Sequence, residues 1–242
     1  MVDQWRTFID TERWNFDGRD NNLYHVAFRE VTAYRAFLGL IQGRYRTAGS
    51  EYMARSEAFS HRIREAAATA ERIGPDARLE ELQLTLRLEI ESFYLFARIL
   101  LDKVAFAIHF YFGLNQSGHS LLVKQLDKAG LATSERLRTL AKDLGKQIGG
   151  FRSEQITHQK ELRAIRATGY RIGEGPRVIL SNLYPTDGDQ QYESRPLEEL
   201  IATIDDYLSE IMAFLVVNSE KTALQRIGST APAFHPPAEP SV

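Results

Sequence analysis

FYLFARILLDKVAFAIHFYF, residues 93–112, decides how the rest of the chain is read. Twenty mostly apolar residues are long enough to span a bilayer, but Arg98, Asp102, Lys103 and His109 interrupt the run. Charges at that depth cost several kcal/mol each in hydrocarbon, on the order of 2.5–3.5 kcal/mol on insertion scales. Arg98 and Asp102 are spaced i,i+4 and can pair on one helix face. The stretch therefore predicts a central helix buried on nearly all sides, within a longer helix from about Asp76 to Phe112 that closes at Gly113.

Outward from this helix, periodicity of three and four dominates. Ala27, Val31, Tyr34, Leu38, Ile41 and Tyr45 form one apolar stripe, followed by a break expected at Gly49-Ser50. Phe59, Ile63, Ala66, Ala70 and Ile73 mark a second helix that ends at Gly74-Pro75. Downstream, a short helix around 121–129 stops at Gly130. The next carries Leu137, Leu140, Ala141, Leu144 and Ile148 on one side and meets the pair Gly149-Gly150, where an interruption is expected. A helix from about Ser153 to Ala167 follows. Tyr170 to Leu180 reads as two short extended pieces around Gly173-Glu174-Gly175-Pro176, and 181–196 as an exposed loop. Leu197, Leu200, Ile201, Ile204, Leu208, Ile211, Met212 and Leu215 mark a last strong helix. The ending APAFHPPAEPSV has four prolines in twelve residues and reads as a disordered tail.

The expected fold is all-α: an up-and-down helical bundle with a minor β-hairpin insertion near 170–180 and an N-terminal helical extension. The domain reading is an extension over 1–75, a bundle over 76–220 and a C-terminal segment over 221–242. Trp5, Trp14 and Phe16 either pack against the bundle or offer a partner surface.

The chain has 242 residues, 43% hydrophobic and 26% charged, with a formal charge of −2. That composition suits a chain with a real core and excludes a histone-like polycation. The absence of cysteine removes disulfides, thiolate zinc sites and cysteine nucleophiles. Charged residues near the start argue against an export signal, so a cytoplasmic location is expected, with no membrane association. HExxH, Glu-x-x-His, GxGxxG, GxxxxGK[ST] and GxSxG are all missing, so no metal site and no cofactor is expected. His25, His61, His109 and His119 show no ligand spacing and are read as surface or core residues.

Charge is uneven along the chain. From Arg136 to Arg177 there are ten basic residues and four acids, a balance of +6, which leaves −8 for the remainder. Residues 187–210 hold eight acids against Arg195 alone. Two readings stand: an electropositive face suited to phosphates, or oppositely charged surfaces that face each other. Inside the basic stretch lies GGFRSEQITHQK, residues 149–160. Arg152 and His158 stand about 120° apart on an uninterrupted helix, so they share an anion only if the glycine pair breaks it. Ser153 is then an N-cap for the helix that follows.

Arg152 and His158, with Phe151 before and Gln159-Lys160 after, resemble the Arg-x(4–6)-His segment of the HEPN superfamily. The stretch Glu89 to Lys103 is similar to that family's long helix, and the resemblance covers roughly residues 80–218. It implies a small α-helical domain in which Arg152 and His158 are catalytic in metal-independent RNA cleavage, at a cleft between two protomers. Lys146, Lys160, Arg163 and Arg166 are the expected RNA-binding residues. The family usually has Asn, Asp or His after the arginine, where this chain has Ser153. The implied partners are RNA, a second copy of the chain, and an antitoxin or other protein partner. The alternative is a non-catalytic helical binding or dimerisation module, associated with a toxin–antitoxin or defence system.

Overall fold

The computed structural model describes residues 2–69, 72–151, 166–167, 180–181 and 197–228. Helix dominates them: α1 (Val2–Glu12), α2 (Gly18–Thr69), α3 (Ala77–Tyr111), α4 (Leu122–Lys128), α5 (Glu135–Phe151) and α6 (Leu197–Val217). Short 3₁₀ turns cover Arg13–Asn15, His119–Leu121 and Ser219–Lys221. The all-α class is therefore observed.

The apolar stripes of the first half of α2, of α5 and of α6 land where the periodicity places them, whereas of the described residues in the stripe expected over 59–73 only Ala66 is buried and Ile63 is 47% exposed. Ala27, Val31, Leu38, Ile41 and Tyr45 of α2 are buried, as are Leu137, Ala141, Leu144 and Ile148 of α5. On α6 the buried set is Leu197, Leu200, Ile201, Ile204, Leu208, Ile211 and Leu215, with Tyr207 and Phe214 added. Helix α3 buries twelve of its residues from Ile90 to Tyr111, and Arg98 pairs with Asp102 at 3.2 Å. Among the described residues no helix is long and apolar enough to cross a membrane.

Two expected interruptions are absent. Helix α2 runs for 52 residues without a break at Gly49-Ser50. A helical glycine costs about 1 kcal/mol relative to alanine, and this one is offset by its surroundings. Ile41, Tyr45 and Ala48 are buried just before it, and Glu51 accepts from Nε and Nη2 of Arg78 at 2.8 and 2.9 Å just after. Likewise α5 continues through Gly149-Gly150 to Phe151, because Leu144 and Ile148 lock its last turns into the core.

The expected β-hairpin near 170–180 is not seen among the described residues. Only a two-residue antiparallel pairing is present, Arg166–Ala167 (β1) with Leu180–Ser181 (β2), and residues 168–179 lie outside the described set. The helix expected from Ser153 is outside it too, and Ala167, its expected end, is extended rather than helical.

By contacts the chain divides into two compact units, and neither is a run ending at Gly74-Pro75. One gathers 1–36, 97–150 and 203–242; the other gathers 37–96 and 151–202. Helices α2, α3 and α6 each contribute to both.

In the first unit, an aromatic cluster forms the centre. Tyr24 stacks on Phe28 at 4.5 Å, Phe16 lies 5.0 Å from Tyr24, and Tyr111 meets Phe16 edge-on at 5.9 Å. Trp5 seals it at 6.2 Å from Phe28 and is 1% exposed. Trp14, by contrast, is 67% exposed beneath the Arg13 guanidinium. The chain beyond α6 folds back onto this cluster. Ala223 N–H and Thr222 Oγ1 both donate to the Tyr111 carbonyl that α3 leaves open. Phe16 and Arg226 form an antiparallel bridge, and Ile227 N–H donates to Asn15 O at 2.9 Å. Asn218 joins Ala132 through both its backbone groups.

In the second unit α2 and α3 run antiparallel. Contacts step from Phe37–Phe96 through Arg44–Glu89 to Arg55–Asp76. Asp76 caps α3 by accepting from the N–H groups of Arg78 and Leu79.

Candidate functional site

The basic stretch divides along α5. In its first turns Arg136 pairs with Asp206 at 2.9 Å and lies 3.6 Å from Glu210, while Arg138 takes both oxygens of Asp127. Here the opposed-surface reading holds, because the acids of α6 and α4 neutralise the arginines. Elsewhere in that acidic run, Asp205 holds Arg35 and Glu198 holds Arg46. Further along α5, Lys142 and Lys146 stand one turn apart and are exposed, with Asp143 beside them.

Gly145 and Gly149 lie on the same side of α5, also one turn apart. A Cβ at Gly145 would sit 3.6 Å from His119 Nδ1, and one at Gly149 would sit 3.8 Å from Arg98 Nη1. The glycine pair thus marks where an imidazole and a guanidinium approach the helix.

These two side chains belong to one polar cluster. Asp102 is its hub: one oxygen pairs with Arg98 Nε at 3.2 Å, and the other accepts the backbone N–H of His119 at 3.1 Å. The His119 ring makes a 3.1 Å hydrogen bond through Nε2 with the Tyr207 hydroxyl. Tyr207 is fully buried, and His119 is 3% exposed. Burial, reinforced by the Arg98 charge, pushes the His119 pKa down to about 4. Burial likewise drives the Tyr207 phenol well above its ordinary value. His119 is therefore neutral at pH 7, and among the described residues its Nδ1 has no hydrogen-bond partner. The positive charge of Arg98 favours the tautomer with a lone pair on Nδ1, which leaves Nε2–H to donate to Tyr207.

His109, fully buried, accepts the Ser117 N–H through Nδ1 at 3.3 Å. Burial lowers its pKa as well. His25 lies 3.2 Å from Arg13 Nη1, and His61 is exposed. Among the described residues no group of three or more His, Asp or Glu could hold a metal ion.

Of the residues the sequence singles out, Lys146 is placed on α5. Arg166 enters β1 by its backbone, with its side chain outside the described set. Arg152, His158, Lys160 and Arg163 lie outside the described residues. Asp102 is occupied by Arg98 and His119. The cluster itself is not legible in sequence beyond the Arg98–Asp102 spacing, since His119 and Tyr207 meet across 88 positions. In comparison with known proteins, the chain matches no family model, no curated protein and no solved structure.

Proposed function

We propose that this chain is a HEPN-like helical protein that binds RNA along the latter half of α5 and cuts it with Arg152 and His158. The observation that carries the RNA-binding part is the charge along α5. Its first arginines are neutralised by acids, whereas Lys142 is exposed further along the helix, with Arg98 close to Gly149. Lys160, Arg163 and Arg166 extend the cationic run toward an anionic polymer.

The chemistry assigned to the pair needs no metal. The ribose 2′-hydroxyl attacks the adjacent phosphorus, the P–O5′ bond breaks, and a 2′,3′-cyclic phosphate and a 5′-hydroxyl result. An imidazole with a pKa near 6.5 can take the 2′ proton or deliver one to the leaving oxygen. A guanidinium can hold two phosphoryl oxygens as their charge grows. One histidine per chain supplies one of the two proton transfers, so a homodimer with the pair repeated across a two-fold axis completes the set.

Purified protein is expected to cut a labelled single-stranded RNA in EDTA and leave 2′,3′-cyclic ends, and His158→Ala to abolish this. Equal cleavage by both proteins, or none by either, refutes the assignment of cleavage.

A second reading, a non-cutting binding or dimerisation module for a protein partner, is favoured by one feature. Leu84 and Leu88 stand one turn apart on α3, 66% and 61% exposed. Absence of both RNA binding and cleavage would favour this reading.

A further inference from the structure

We infer that Arg98 is a phosphate-gripping cation of the RNA surface, aimed by Asp102; this rests on the RNA-binding reading above. Arg98 projects from a helix whose neighbouring positions Ala97, Leu100 and Leu101 are fully buried, and its side chain is only 18% exposed. A helical i,i+4 pair is a weak contact, little return for drawing a guanidinium out of water. The arrangement gains a purpose from its unused edge.

One oxygen of Asp102 holds the Nε side of the guanidinium at 3.2 Å, and the other accepts the His119 N–H. This contact draws the fork to Asp102 at Nε and leaves its far edge uncovered. That edge, Nη1 and Nη2, has no hydrogen-bond acceptor among the described residues. Two glycines border it: a Cβ at Gly149 would lie 3.8 Å from Nη1 and one at Gly118 would lie 3.9 Å from Nη2. Neither position puts a side chain in front of the donors. Guanidinium cannot shed its proton to relieve this state, so the free edge calls for an acceptor with two oxygens side by side. A phosphodiester supplies them in the bidentate geometry that favours arginine over lysine. Lys142, exposed on α5, adds same-sign charge that draws the polymer in, against Asp143.

The test is fluorescence polarisation of a labelled oligouridylate with the full chain at several salt concentrations. Arg98→Gln is expected to raise Kd at least about five-fold and to reduce the slope of log K against log salt by about 0.7, the loss of one single-strand phosphate contact. Arg98→Lys keeps the charge and the bond to Asp102, so it preserves the fold and the slope. It is expected to raise Kd by about three-fold because the fork is lost. Unchanged Kd and slope in Arg98→Lys and Arg98→Gln, with Arg152→Gln weakened, would overturn the role of Arg98 and leave the RNA reading standing. Wild-type protein that binds no oligouridylate would overturn both. Should Arg98→Gln fail to fold, the Kd of Arg98→Lys decides alone.

Discussion

Burial of His119 behind Tyr207 has a consequence in acid. Its folded-state pKa of about 4 lies below the ordinary value of 6.5, so between these two the unfolded chain binds a proton that the folded chain refuses. Stability contributed by the neutral imidazole is complete above pH 6.5, falls as pH drops toward 4, and levels off below it. A displacement of this size corresponds to about 3 kcal/mol. Urea unfolding at pH 7.5, 5.5 and 4.5 should show that decline, and His119→Gln should remove most of it. A pH slope that survives in the variant would place the titrating group elsewhere, with buried His109 the first suspect. At this scale the sequence is partly legible. The Arg98–Asp102 pair follows from helical spacing, because both partners are on one element. His119 needs Asp102, Tyr207 and Gly145, which three other segments deliver, and no local pattern announces such a meeting.

The helices were more legible than the residues, because burial repeats along them. Each stripe of α5 and α6 is found on the buried side, and α3 starts and stops within one residue of its expected ends. Glycine was the weaker guide. Gly74-Pro75 does precede the start of α3, and Gly113 and Gly130 do take positive φ just past helix ends. Gly49 and Gly149, however, lie inside helices, since tertiary packing outweighs a propensity of about 1 kcal/mol. Gly43 is another helical glycine, exposed, with open space where a Cβ would go. Gly43→Ala should therefore stabilise the protein by about 0.5–1 kcal/mol, by removing freedom from the unfolded chain. Chemical denaturation would detect this as a higher midpoint at unchanged m-value. A lower midpoint would mean that α2 is not continuous helix there in solution.

For the whole molecule, segments distant in sequence share a core. Trp5, Ile9 and Phe16 are at most 3% exposed, packed with residues of α2 and α3, so residues 2–16 are core rather than appendage. Removal of residues 2–16 should abolish cooperative unfolding or lower Tm by more than 10 °C, since three large side chains and their contacts go at once. Scanning calorimetry of the truncated chain would settle it. A sharp transition at the original temperature would mean that the remainder folds without them. Hydrophobic periodicity reports which face of a helix is covered but not which helix covers it, and the interleaving of segments was hidden for that reason.

The antiparallel bridge between Phe16 and Arg226 joins positions more than two hundred residues apart. During synthesis the first aromatic side chains must wait until nearly everything else has left the ribosome before their final neighbours arrive. A nascent chain halted after α5 would thus leave Phe16 without that partner, and such arrested intermediates are natural clients for chaperones.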